Sequence, residues 1–305
     1  MPSPSATSEL LCVGDVSLDL TMAIAHLPAP DEKVHAERTV EAPGGVVANA
    51  AVAAAKAGAS VRLMIRTGND LASQITLAAL RAVGVAVEHE SVQGSLCRCV
   101  ILIEPHGEKR LALEPGVSMF PGEAAIERLS LEAVGHVHTA LYGEAAHRLV
   151  ARCRQAGIGW SVDLEPATIA AGLDPIRDII AGADTLFVND RAARALGENA
   201  EALLIGHGAK SLIRTLGAGG ARYHDAARSF ICRPPSGLPI VDTTGAGDCL
   251  AGWYAAGRAA GRAPEDILPR AVAAASLSCG SLGAQASYPD KAMLHSQHAK
   301  VELIP

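Results

Sequence analysis

The chain has 305 residues, 49% of them apolar, 19% charged and only 3% aromatic, with a formal net charge of -6. This composition supports a large core and excludes a disordered chain. It lacks the basic stripe and stacking rings of a nucleic-acid binder, since no Lys/Arg run exceeds two residues. The cysteines, Cys12, Cys97, Cys99, Cys153, Cys232, Cys249 and Cys279, form no CxxC pair and read as reduced thiols of a cytoplasmic protein. The first ten residues have neither a basic nor a long apolar region, so no secretory signal is expected. No stretch reaches roughly 18 uninterrupted apolar residues, so no membrane span is expected either.

Short uninterrupted apolar runs suit buried parallel strands. They recur at Leu10–Val13, Val61–Ile65, Val134–Thr139, Gly159–Val162, Thr185–Val188 and Ser211–Thr215. The stretches between them predict helices over Ala48–Ala57, Gln74–Val83 and Ala145–Ala156, stopped by Gly58, Gly84 and Gly157. Repeated alternation predicts an α/β fold in three layers, with helices on both faces of a mostly parallel central sheet. Two stretches, about 19–40 and 97–113, read instead as strand pairs without helices. In the second, Cys97–Ile103 and Lys109–Leu113 flank a turn at His106-Gly107, a hairpin pattern. Together they are expected to form a small β-sheet lid standing off the main unit. No linker or repeat interrupts the rest, so residues 1–305 read as a single domain.

The strongest chemical signal is Asp242-Thr243-Thr244-Gly245-Ala246-Gly247-Asp248, placed between a predicted strand at Leu238–Val241 and a predicted helix at Cys249–Arg258. Strand, glycine turn and helix aim unpaired backbone N–H groups at an anion. Gly245 and Gly247 let a phosphate approach the backbone closely. A carboxylate there repels phosphate but can take the proton of a hydroxyl that attacks it. The motif therefore supplies an anion hole and a base side by side; a plain helix cap is the competing reading. A Walker A loop is excluded because the chain has no Gly-Lys pair, and a dinucleotide fingerprint because no third glycine follows Gly247 in register. A second signal is Gly44-Gly45-Val46-Val47-Ala48-Asn49, where Asn49 can offer donor and acceptor to a sugar hydroxyl. The bland alternative there is a glycine loop before a tightly packed alanine helix.

The set Gly44-Gly45, Asn49, Gly58 and Gly68, followed by Asp242 to Asp248, resembles both signatures of the ribokinase-like (PfkB) carbohydrate kinases, over a span from Gly14 to about Pro289. The resemblance implies a ribokinase-like αβα domain and an ATP-dependent phosphotransferase acting on a hydroxyl of a small sugar. It implies that Asp248 is the general base and that the backbone of Gly245, Ala246 and Gly247 is the anion hole. Asp19, Gly44, Gly45 and Asn49 would bind the sugar. Asn189 and the turn from Thr215 through Gly217 to Gly220 would face the nucleotide. A monovalent cation such as K⁺ would sit by Asp242 and Thr244, with backbone near Ser278, Ser281, Gly283 and Ser287. Mg²⁺ would accompany ATP, and the lid would form a homodimer contact, as in many relatives.

The chain departs from the family pattern at several points. Asn189-Asp190-Arg191-Ala192 keeps the Asn of an Asn-x-x-Glu motif and loses the Glu, as ketohexokinase-like members do. Leu250 replaces a frequent Phe, Val46 the Lys that ribokinase carries, and Ser17 a second Asn, so ribose specificity is not expected. A nucleoside or a phosphorylated sugar is the alternative acceptor, and a non-catalytic sugar or nucleotide sensor the alternative class. Asp163 and Glu165 alternate at a strand end, either ordering Mg²⁺ waters or as solvated loop carboxylates. His136 and His138 share a strand face, more in the manner of core histidines than of a metal pair. Cys97 and Cys99 read as packing residues.

Overall fold

The computed structural model describes residues 8–105, 109–294 and 300–304, so the expected turn at His106-Gly107 lies outside the described residues. The chain opens with β1 (Glu9–Gly14), β2 (Ser17–Ile24), β3 (Ala36–Gly44), α1 (Val46–Lys56), β4 (Val61–Thr67), α2 (Leu71–Ala82) and β5 (Ala86–Ser91). It continues through β6 (Cys97–Ile103), β7 (Lys109–Glu114), α3 (Glu123–Arg128), β8 (Val134–Ala140), α4 (Ala145–Ala156), β9 (Gly159–Leu164), α5 (Arg177–Ile180) and β10 (Thr185–Val188). It ends with α6 (Asp190–Leu196), α7 (Ala200–Gly206), β11 (Ser211–Thr215), β12 (Ala221–Asp225), β13 (Ser229–Arg233), α8 (Ala246–Ala259), α9 (Pro264–Ser278), α10 (Lys291–Leu294) and β14 (Lys300–Ile304).

Among the described residues ten strands form one sheet in the order β14-β13-β12-β11-β10-β9-β8-β1-β4-β5. From β5 to β11 every pairing is parallel, and from β11 to β14 every pairing is antiparallel. Strand β1 is apolar at successive positions because both its faces are covered. Leu10 and Cys12 enter a core shared with α1, α2, α8 and α9, whereas Leu11 and Val13 enter one shared with α3 to α7. The expected three-layer α/β arrangement is therefore present. The two helix-free stretches form a separate four-stranded sheet, β3-β2-β6-β7, as expected. Its inner face packs Cys99, Ile101 and Ile103 against Leu282 of the main unit.

Helices α1 and α8 run unusually close together. A Cβ on Gly252 would lie 2.2 Å from the carbonyl oxygen of Ala50 and 2.8 Å from Cβ of Ala53. Alanine and glycine at this contact allow the approach. That approach sets the N-terminal turns of both helices side by side.

One expected element is missing. Residues 238–241 are irregular and not a strand. The sheet continues from β13 to β14 and offers no free edge there. The backbone N–H groups of Val241 and Asp242 instead both donate to the carbonyl of Cys279, at 2.7 and 3.2 Å. Ile240 and Val241 stay 65% and 42% exposed, which a buried strand would not allow. Helix α8 also begins at Ala246 and not at Cys249, so half of the glycine turn belongs to its first turn. No described helix is long and apolar enough to cross a membrane.

Candidate active site

Neither α1 nor α8 has a side-chain cap of its own. Their N-caps are glycines, Gly45 at φ 100° and Gly245 at φ 74°, values that disfavour other residues. A Cβ on Gly45 would lie 2.7 Å from Cα of Val16, and one on Gly245 would lie 2.4 Å from the Tyr288 hydroxyl. At α1 the cap comes from elsewhere in the chain. Asp15, just past β1, accepts the Val46 and Val47 N–H groups at 2.8 and 3.0 Å. Burial pushes the Asp15 carboxyl up to about 6, although those two backbone N–H groups pull the other way.

At α8 no side chain among the described residues takes the first N–H groups. A Cβ on Gly247 would meet nothing within 4 Å, so packing alone does not require glycine there. The open space beside Gly247, at the positive end of a 14-residue helix, is a ready approach for an anion. Asp248 is the third residue of that helix. Its Oδ2 accepts the Asn49 amide N–H at 2.8 Å, and the Asn49 oxygen in turn accepts from Gln285 Nε2 at 2.8 Å. Burial pushes the Asp248 carboxyl up to about 7. The charges of Glu165 and Asp15 act in the same direction, against the Asn49 bond and Lys109. Asp248 keeps part of its surface open to solvent and is not closed into the core. Asp163, also raised by burial and then by Asp248, Glu165 and Asp15, belongs to the same acidic field. Glu165 accepts a hydrogen bond from the Tyr142 hydroxyl. A carboxyl held near neutrality beside an open helix N-terminus can accept a proton from a hydroxyl while an anion is held next to it.

The residues expected on the sugar side come from the small sheet and the start of α1. Asp19 lies on β2, its Oδ1 bonded to the Ser17 hydroxyl at 2.5 Å and its carboxyl raised by burial. A Cβ on Gly44 would lie 2.0 Å from Asp19 Oδ2, so glycine at 44 is what lets Asp19 lie there. Asn49 is 4% exposed, and its amide is engaged by Asp248 and Gln285.

The residues expected on the nucleotide side follow the carboxyl ends of β10 and β11, the edge where open α/β sheets bind ligands. Asn189 caps α6 through the Ala192 N–H at 2.8 Å. Thr215 ends β11, and Gly217 and Gly220, at φ 56° and 87°, make the turn that follows. Ala192, at the missing Glu position, is fully buried.

Of the expected cation residues, Asp242 and Gly283 meet directly. Asp242 accepts the Thr244 N–H at 2.8 Å and the Gly283 N–H at 2.9 Å. The Ser278 hydroxyl turns back to the Ala275 carbonyl, and that of Ser287 to the carbonyls of Gly283 and Ala284. Ser281 is exposed. His136 and His138 are buried and share the Ser161 hydroxyl, each at 3.0 Å.

Three residues escaped the sequence reading. Asp15 directly follows β1, a common place for a functional carboxylate. Gln285 stands inside the Gly283–Ser287 stretch already singled out. Lys109 has its Nζ 3.5 Å from the Thr244 hydroxyl. Strand parity could have found it, since it pairs with Ile103 and shares the inner face of the small sheet.

Comparison with known proteins gives the family. A family model described as pfkB family carbohydrate kinase matches residues 7–291. A cytidine kinase of Thermococcus kodakarensis is 30% identical over 273 residues, covering 85% of this chain and 92% of the relative. An ATP-dependent ribose-1-phosphate kinase of Halopiger xanaduensis is 27% identical over 283 residues, covering 91% and 94%. The crystal structure of ribokinase from Thermotoga maritima superposes with a TM-score of 0.78 at 25% identity, covering 94% of this chain and 97% of that one. The chain belongs to the pfkB family of carbohydrate kinases and is a phosphotransferase of the sugar and nucleoside kinase group.

Proposed function

We propose that this kinase moves the γ-phosphoryl group of ATP to a hydroxyl of a small sugar or sugar-like substrate. Asp248 takes the hydroxyl proton as that oxygen bonds to the γ-phosphorus and the bond to the bridging oxygen of ADP breaks. The N–H groups that follow Gly245 stabilise the charge on the transferring group. The observation that carries this reading is the Asp248 carboxyl, raised to about 7, set beside the uncapped start of α8. Asp19, Gly44 and Gly45 border the acceptor, and Asn189 with the Thr215–Gly220 turn borders the nucleotide.

Magnesium would arrive on the nucleotide. Among the described residues no three His, Cys, Asp or Glu side chains are grouped to hold an ion. That suits an ion that keeps its phosphate and water ligands. Asp242 and the Gly283 backbone would border a K⁺ ion. The four-stranded sheet acts as a lid that excludes water. Leu111 and Leu113, 57% and 54% exposed on its edge strand β7, support a homodimer through the lid, and the cytoplasm is the proposed location. The cytidine and ribose-1-phosphate kinase relatives favour a second reading, a nucleoside or phosphosugar acceptor, for which Lys109 offers a cation on the lid's inner face.

The test is ADP release with Mg-ATP and K⁺ across pentoses, ketohexoses, nucleosides and sugar phosphates. One preferred class is expected, with Asp248→Asn at least roughly 10²-fold slower on it. An Asp248→Asn enzyme with normal turnover overturns the base assignment. Silence across the panel, with ATP bound, overturns the acceptor class.

A further inference from the structure

Residues 285–288 tie the starts of α1 and α8 together. Gln285 Nε2 donates to the Asn49 oxygen at 2.8 Å, and the Tyr288 hydroxyl donates to the Gly245 carbonyl at 2.9 Å. The ammonium of Lys56, two turns beyond Asn49 on α1, donates to the main-chain carbonyls of Gln285 and Tyr288 at 3.2 and 2.9 Å. The main chain that carries the Gln285 amide is therefore anchored to the same helix that carries Asn49.

A primary amide has one end that only accepts and one that only donates. Asn49 touches a carboxylate on one side and Gln285 on the other. With the Gln285 N–H on its oxygen, its nitrogen must face Asp248 Oδ2, at 2.8 Å. Turned over, it would present its oxygen to the carboxylate, and two acceptors would repel. Asp248 Oδ1 has no hydrogen-bond partner among the described residues.

We propose that Gln285 is a positioning residue for phosphoryl transfer, holding the Asn49 amide so that it donates to Asp248 Oδ2 and leaves Oδ1 to meet the acceptor hydroxyl. This rests on Asp248 being the base. The Asn49 bond favours the ionised carboxyl, so its loss moves Asp248 further up and leaves less of it as base. The other charged or titratable groups in this field are Asp15 after β1, Asp19 on β2, Lys56 on α1, Lys109 on β7, Asp163 and Glu165 at the end of β9, Asp242, Cys249 on α8 and Tyr288. All of them remain in a Gln285 variant, so a change between the two proteins reports the Asn49 contact.

The test compares wild type, Gln285→Met, Asn49→Ala and the double variant, using whichever acceptor supports ADP release. Gln285→Met should lower kcat about 10-fold with both KM values within about 3-fold, and move the acid limb of the kcat profile to higher pH. In the Asn49→Ala background it should change kcat by less than about 2-fold. Gln285→Glu keeps the shape but, when ionised, donates nothing, and should be at least as slow. Wild-type kcat and pH limb in Gln285→Glu overturn the proposal, as does a Gln285→Met effect that persists in full without Asn49. A lowered melting temperature with unchanged kcat would mark Gln285 as merely structural. If Asp248→Asn is inactive while the Gln285 variants are normal, only the positioning role fails. If Asp248→Asn is active, the base assignment itself fails.

Discussion

Asp248→Asn should stabilise the ligand-free protein while removing most of its turnover. The folded chain holds the Asp248 carboxyl at about 7, against 3.8 for an unperturbed one. A carboxyl raised in this way binds more protons folded than unfolded. It therefore weakens the fold progressively as pH rises towards 7, and its penalty is relieved as pH falls. Linkage sets that penalty at about 2 kcal/mol at pH 5 and about 4 kcal/mol at pH 8, upper bounds because the carboxyl is partly solvated. Asparagine keeps the shape, can still accept the Asn49 N–H and carries no charge. The stability gained on substitution should thus grow by about 2 kcal/mol between pH 5 and pH 8. Urea unfolding of both proteins without ligand at the two pH values measures it; groups not coupled to Asp248 cancel in the comparison, and relief of Asp163, which the Asp248 charge raises, adds in the same sense. An equal difference at both pH values, or a loss at pH 8, refutes the raised carboxyl.

The same carboxyl governs the pH–rate profile, since only its ionised form accepts a proton: kcat/KM for the acceptor should rise about 10-fold from pH 6 to pH 8, and a flat profile over that range contradicts the assignment. Gly44→Ala places a Cβ 2.0 Å from Asp19 Oδ2. It should displace that carboxyl and raise the acceptor KM by about 10-fold or more while leaving the Mg-ATP KM nearly unchanged; initial-rate kinetics with each substrate varied decide it. His136 and His138 sit at about 4 and about 3 in the fold because burial disfavours the imidazolium. Both are lowered from 6.5, so the unfolded chain binds more protons and stability falls as pH drops below 6.5. His138 packs edge-on against Phe187 and has no partner for Nε2 among the described residues. His138→Phe should therefore lose about 2 kcal/mol less than wild type between pH 7 and pH 5 in urea unfolding, and an equal loss would sink that reading.

Most of the scaffold was legible because its signals are local. Each expected parallel strand is an apolar run covered on both faces. Helix α4 matches the predicted Ala145–Ala156 span and ends at Gly157 in the left-handed conformation that glycine favours. The segment 238–241 failed for the opposite reason: Leu-Pro-Ile-Val has strand-like letters, but pairing needs a sheet edge, and the local sequence says nothing about where edges fall. The start of α8 was misplaced because Ala246 and Gly247 look like turn residues until a helix is built through them.

The sequence by itself determined the fold class and the two glycine signatures, and singled out Asp248 as the candidate base, since each depends on neighbouring residues and backbone preference. Tertiary structure alone decided what surrounds that carboxyl. Asn49 and Asp248 are 199 residues apart, and Gln285 and Asn49 are 236 apart. Asp15 caps a helix that starts 31 residues later. The approach of α1 to α8 through Ala50 and Gly252 brings those groups within hydrogen-bonding reach. The raised carboxyl of Asp248 likewise follows from desolvation by the assembled fold, a sum over every element packed around it that no stretch of sequence contains.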